Sequence, residues 1–196
     1  MDTKSRIFNT ALRLFAANGY ENVAVREIAD SVGIKAASIY NHYNTKEDIL
    51  EACYNYYLTH RHCTRMTKEQ YAPIIRDGTK EEVINVLNYS YPDSIIENMI
   101  MTLLIIFSRI YSDKKAMRIY AEDINSSMQY LTEFFNFGIE IGRFHEFNVQ
   151  AVSLIIFSAR LFTAQSVTII PEQKNEWRKA ELDFFGELLR LIPFKY

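Results

Sequence analysis

Two short amphipathic stretches separated by Gly33-Ile34-Lys35 constrain this chain more than any other feature. Val25, Ile28, Ala29 and Val32 share one face at helical spacing, and Gly33 ends the run. Ala36 to Tyr43 makes a second stretch, in which Ile39 and Tyr43 stand four apart and so face the same way. A short helix, a three-residue turn containing glycine and a second short helix is the helix-turn-helix arrangement, although generic helical hairpins share it. The outer face of the second stretch is unusual. It carries Ser38, Tyr40, Asn41 and His42, all hydrogen-bonding groups, and no formal charge stands between Lys35 and Lys46.

The flanking pattern is helical throughout. Asp2 or Thr3 caps a first helix whose apolar positions are Ile7, Ala11, Leu14 and Phe15, with Gly19 placed for a left-handed C-cap. Thr45-x-x-Asp48 is a capping box that opens a fourth helix through Ile49, Leu50, Cys53, Tyr54, Tyr57 and Leu58. Further helices are expected over 81–89, 94–111, 148–168 and 172–192, with one long helix or two over 114–141. Gly142 and Phe144 are read as a Schellman end to the 114–141 stretch. Residues 64–78 are the expected linker or loop. With 48% hydrophobic residues, only four prolines and six glycines, the expected fold class is all-α with a large core.

Several classes of function lack support. MDTKSRIF does not resemble a signal peptide, and the apolar run from Met99 to Phe107 is far short of the roughly 20 residues that cross a bilayer. Two cysteines make no disulfide framework and suit a reducing cytosol, so a cytoplasmic protein with no membrane partner is expected. His60-Arg61-His62-Cys63 has no converging geometry for a metal, and Cys53 falls on an apolar face; no metal, cofactor or catalytic residue is assigned. No glycine-rich phosphate loop or nucleophile elbow marks an enzyme, which leaves a DNA-free helical binding module as the rival from another class. Up to Lys68, nine Lys and Arg stand against seven Asp and Glu, so an anionic partner would meet the N-terminal end.

Arg6 to Ala52 resembles the DNA-binding domain of the TetR family of bacterial transcriptional regulators. The resemblance is carried by Ala11, Leu14-Phe15, Gly19-Tyr20, Ile28-Ala29, Val32-Gly33-Ile34, Ser38-Ile39-Tyr40, Tyr43 and Lys46-Glu47-Asp48-Ile49-Leu50. It implies a DNA-binding domain over 1–46 and a ligand-binding and dimerisation domain over 47–196. It also implies that Ala36, Ala37, Ser38 and Asn41 face bases, while Tyr40, His42 and Lys46 face the phosphate backbone, with Lys35 and Arg26 beside them. The residue chemistry agrees. Small residues allow close approach and touch thymine methyls, Asn41 has a bidentate option to adenine, and the hydroxyls and His42 can donate to phosphates. Arg26 reaches either a guanine edge or a phosphate, or is simply solvated. Lys4 and Arg6 are candidates for flanking phosphates. Ala24 departs from the family, which commonly has a Ser or Thr cap there.

The resemblance further implies a homodimer on a pseudo-palindromic double-stranded operator, released by a small apolar or aromatic effector; activators and co-repressor-dependent regulators share the pattern. Glu97, Met99, Leu103, Phe107, Met117, Tyr120, Asp123 and Met128 are the candidate effector residues, since Met and aromatic side chains suit an adaptable apolar pocket. Glu97 or Asp123 would answer a cationic ligand. Phe157, Leu161 and Ala164 on one helix and Trp177, Phe184 and Leu188 on the last are the candidate dimer face. Such an effector works only by binding two conformers unequally, the fourth helix swinging between them.

Overall fold

The computed structural model describes residues 2–61, 65–87, 93–169 and 171–191. Its helices are α1 (Thr3–Asn18), α2 (Val25–Val32), α3 (Ala36–Ile39), α4 (Lys46–His60), α5 (Lys68–Asp77), α6 (Lys80–Leu87), α7 (Asp93–Arg109), α8 (Lys114–Glu140), α9 (Val149–Ile169) and α10 (Lys174–Leu191), with one 3-10 turn at Pro171–Gln173. No strand occurs among the described residues, so the fold is all-α. His62, Cys63, Tyr89, Tyr91 and Pro92 lie outside the described residues, as do the side chains of Ala164 and Leu188. Among the described residues no helix is long and apolar enough to cross a membrane.

The chain forms two compact units. The first comprises residues 1–62 and 92–121, the second 63–91 and 122–196. This division differs from a boundary at residue 46. α4 and α7 pack on one another and on α1, and Ile105, Ile106, Ala116 and Ile119 share one core with Ile7, Phe15, Ile28 and Ile39. The second unit has its own core, built on Tyr71, Ile75, Leu131, Phe134, Phe135, Phe144 and Ile156.

Capping explains most helix ends. Asp2 accepts from the Ser5 amide at the start of α1, and Thr45 and Asp48 exchange side-chain and backbone bonds at the start of α4. Gly33 lies in the left-handed region at φ 76°, ψ 36°. The Ile34 amide donates to the Ala29 carbonyl and the Gly33 amide to that of Asp30, a Schellman end. Gly142 (φ 73°) repeats the pattern after α8, with the Arg143 amide on the Gly138 carbonyl. Gly19 has a positive φ of 80° but an extended ψ of 143°, so it turns the chain away from α1 without forming the expected left-handed cap.

Two expectations need correction. The stretch 64–78 contains α5, which Thr67 opens through a bond from its amide to the Gln70 side chain, 2.8 Å. Tyr71 and Ile75, four apart and both buried, anchor it; Pro73 disguises this stripe in the sequence. The second helix of the helix-turn-helix ends at Ile39, not Tyr43. Beyond it the His42 and Tyr43 amides both donate to the Ile39 carbonyl, and the Asn44 amide already bonds Asp48 of the next helix. Entry into the capping box of α4 therefore competes with continuing α3.

Candidate nucleic-acid interface

Everything that could present α3 to a partner is set by three buried anchors. Ile39 is 1% exposed, Tyr43 8% and Val32 5%. Burying a side chain such as Ile39 stabilises by about 1.5–3 kcal/mol, which holds a four-residue helix too short to form alone. Ala36 and Ile34 pack partly on the same core. What remains outside is Lys35, Ala37, Tyr40 and Asn41, all exposed, with Ser38 and His42 half-buried. Tyr40 is 53% exposed despite its ring. The segment thus divides into a core face and an open face carrying a methyl, a phenol and a carboxamide.

Basic groups frame that face. Arg26, in the first turn of α2, is largely exposed and its Nε stands 3.9 Å from Asp30, a loose ion pair worth little. Ala24 provides no side-chain cap there. Lys46 is half-buried at the start of α4, with Nζ 4.1 Å from the centre of the Tyr20 ring. Lys4 lies over Tyr43 at 5.4 Å. Arg6 turns inward: its guanidinium donates to the Val32 carbonyl and satisfies the end of α2, which accounts for this arginine without a phosphate. Glu47 is exposed and its carboxyl lies below the usual carboxylate range, held there by backbone hydrogen bonding at the helix start and by the Tyr20 hydroxyl. Cys53 is deep in the core, and burial pushes its thiol up to about 12.

This is the geometry of a helix-turn-helix with its second helix outward, and the comparisons agree. Residues 7–53 match the family model for bacterial regulatory proteins of the tetR family. Over these residues the helix-turn-helix is similar to that of the TetR family. A biofilm operon negative transcriptional regulator, IcaR of Staphylococcus epidermidis, is 41% identical over 59 residues, covering 28% of this chain and 32% of the relative. The chain therefore aligns with about a third of that curated relative's length. Over nearly the whole chain the fold is similar to solved structures of transcriptional regulators, among them a TetR-family one. PfmR of Thermus thermophilus has a TM-score of 0.66 at 19% identity, covering 94% of this chain and 97% of that one. The ketosteroid regulator KstR2 of Mycobacterium tuberculosis has 0.64 at 19%, covering 99% and 96%. At such identities these two speak for the fold alone.

The remaining expected site residues are scattered. Of the effector candidates, Glu97, Met99, Leu103, Phe107, Met117 and Tyr120 belong to the first unit, Asp123 and Met128 to the second. Phe107 and Tyr120 meet edge to face at 5.5 Å, and Met117 is 53% exposed. Asp123 is buried, but Arg65 stands 3.7 Å away and also donates to Ser127 Oγ at 2.7 Å, so its charge is already answered. Met128 lines an open groove of about 700 Å³ between α8 and α9, together with Gln129, Thr132, Glu133, Ala151 and Leu154. Of the dimer candidates, Phe157 packs partly on the second core, Leu161 is half-buried, and Trp177 stacks edge to face on Phe162 at 5.5 Å. Among the described residues, the large outward apolar groups on α9 and α10 are Leu154, Ile155, Phe162 and Phe184. Sequence reasoning missed the first three, because α9 is apolar around most of its circumference and no period singles out one face.

Proposed function

We propose that this chain is a sequence-specific DNA-binding transcriptional regulator acting as a repressor. The observation that supports it most directly is the division of residues 35–43. Ile39 and Tyr43 are consumed by the core, while Lys35, Ala37, Tyr40 and Asn41 are left exposed with no structural task. Ala36, Ala37, Ser38 and Asn41 are assigned to base edges, and Tyr40, His42 and Lys46 to phosphates, with Arg26 on a base or a phosphate. The IcaR relative is a negative regulator, which favours repression. Exposed Leu154, Ile155, Phe162 and Phe184 favour a homodimer through α9 and α10; two copies are what a split operator requires. A small apolar effector is assigned to the Met and aromatic residues of the central helices, and the domain roles to 1–46 and 47–196.

The test is selection of bound duplexes from a random pool, followed by titration across salt. A repressor of this kind shows log affinity falling steeply with log salt. Replacing Tyr40 by Phe weakens all duplexes alike, whereas Asn41→Ala relaxes preference at one base position at a cost of about 1–3 kcal/mol. A flat salt dependence with no enriched sequence would discard the reading in favour of a DNA-free helical module.

A further inference from the structure

Tyr20 occupies the turn after α1, and two cations from different helices lie over its ring. Lys46 Nζ, from the first residue of α4, is 4.1 Å from the ring centre. The guanidinium of Arg109, in the last turn of α7, is 4.5 Å from it. Two like charges beside one ring repel unless counter-charges are close, and the structure supplies them. The Tyr20 hydroxyl donates to Glu47 at 3.0 Å, and Arg109 Nη1 donates to Glu21 at 2.6 Å.

Arg109 is itself firmly seated. Its side chain is 13% exposed, and Nε stands 3.7 Å from Asp113. Asp113 caps α8 by accepting from the Lys115 and Ala116 amides, and it also accepts from the Tyr54 hydroxyl of α4 at 2.9 Å. A guanidinium held in this way offers the Tyr20 ring a fixed face. Lys46 has no comparable hold among the described residues: the Tyr20 ring is its nearest partner, and its four-carbon stem is rich in rotamers that ordering must remove.

We propose that Arg109 is a positioning residue that, through the Tyr20 ring, holds Lys46 ready for a DNA phosphate. The inference rests on the DNA-binding reading above and deepens it. Arg109 fixes the ring, the ring confines the Lys46 ammonium, and ordering that stem beforehand lowers the cost of engaging the phosphate. The end of α7 is thereby wired to phosphate binding in the same unit.

The experiment measures affinity for a random-sequence duplex and for a duplex selected with the wild-type protein, each across salt, for Arg109→Met, Lys46→Met and the double variant. Lys46→Met reduces the salt slope by about 0.9 for each phosphate that the ammonium no longer neutralises. Arg109→Met is expected to reduce it by at least half as much and to lower affinity severalfold, and the double variant to match Lys46→Met alone. Arg109→Met combined with Glu21→Gln keeps the net charge unchanged and removes the stranded carboxylate. It should show the same reduced slope, which separates positioning from net charge and serves if Arg109→Met alone folds poorly. A wild-type slope in that combined variant, or effects of Arg109 and Lys46 that add, overturns the proposal while leaving DNA binding intact. A wild-type protein with no salt-dependent binding overturns the underlying reading instead.

Discussion

The two units end their short helices by the same device but fill their cores differently. In the first, Arg6 donates to the carbonyl of Val32 at the end of α2. In the second, Arg143 donates to that of Gly78 after α5 and Arg160 to that of Leu87 at the end of α6. Orphan carbonyls at helix ends attract cations in both places. The cores, however, diverge. The first is mostly aliphatic with a polar rim, where Tyr54, Asp113, Arg109 and Glu21 form one chain of bonds. The second has a cluster of rings at its centre, with aliphatic side chains around it: Tyr71, Phe134, Phe135 and Phe144 meet at 5.2–6.5 Å between centres. Polar rims fix orientation through directed bonds, while ring clusters fix it through shape. The first unit is therefore expected to respond most to charge changes and the second to volume changes.

The sharpest attempt to break this contrast is Gly138→Ala. An added Cβ would stand 2.1 Å from the ring of Phe144, which is itself 1% exposed and wedged against Phe134 and Phe135. The expected loss is about 3 kcal/mol by denaturant unfolding. A loss below about 1 kcal/mol would show that the ring cluster yields to volume, and the contrast would fail.

The next test compares the two Schellman ends. Gly33 and Gly142 share positive φ, and a Cβ at either meets nothing within 4 Å. Alanine at each then costs only backbone strain, about 1–2 kcal/mol, and the two losses should be equal. Unequal losses would mean that one unit can relax its turn and the other cannot. The smallest effects come from the capping boxes, compared through one in each unit: Thr45 with Asp48 in the first, and Thr79 with Glu82 in the second. Thr45→Ala and Thr79→Ala should each lose about 1 kcal/mol. Glu82 carries a pH signature. Its carboxyl is lowered by the Thr79 amide and side chain, so its contribution is present above the ordinary Glu range and fades as pH falls through the lowered value. In a urea series across pH, Glu82→Gln should flatten that acid-side slope, and an unchanged slope would reject the assignment.

Legibility in the sequence followed local chemistry. α1, α2, α4 and α8 are readable because their ends carry Asp2, Gly33, Thr45 with Asp48, and Gly142, residues whose side chain or φ decides the outcome within a few positions. α5 was hidden because Pro73 breaks the apparent period, and only the pairing of Tyr71 with Ile75 in a distant core reveals the helix. The early end of α3 depends on Asn44 and Asp48 competing for the chain. At the candidate interface, the inward faces of Ile39 and Tyr43 could be read from spacing. The inward turn of Arg6 could not, since nothing local says that the Val32 carbonyl needs a donor. Arg109 was invisible for the same reason: its partners Glu21 and Tyr20 lie almost ninety positions earlier.

The brevity of α3 has a consequence for how such a surface changes over generations. Four helical residues carry the segment, and its hold on the rest of the unit comes from Ile39 and Tyr43. Ala37, Tyr40 and Asn41 point outward and bear none of that burden. Substitutions at these three positions can alter what is recognised with little disturbance to folding, so the outer face is free to wander through sequence space while its two anchors stay fixed.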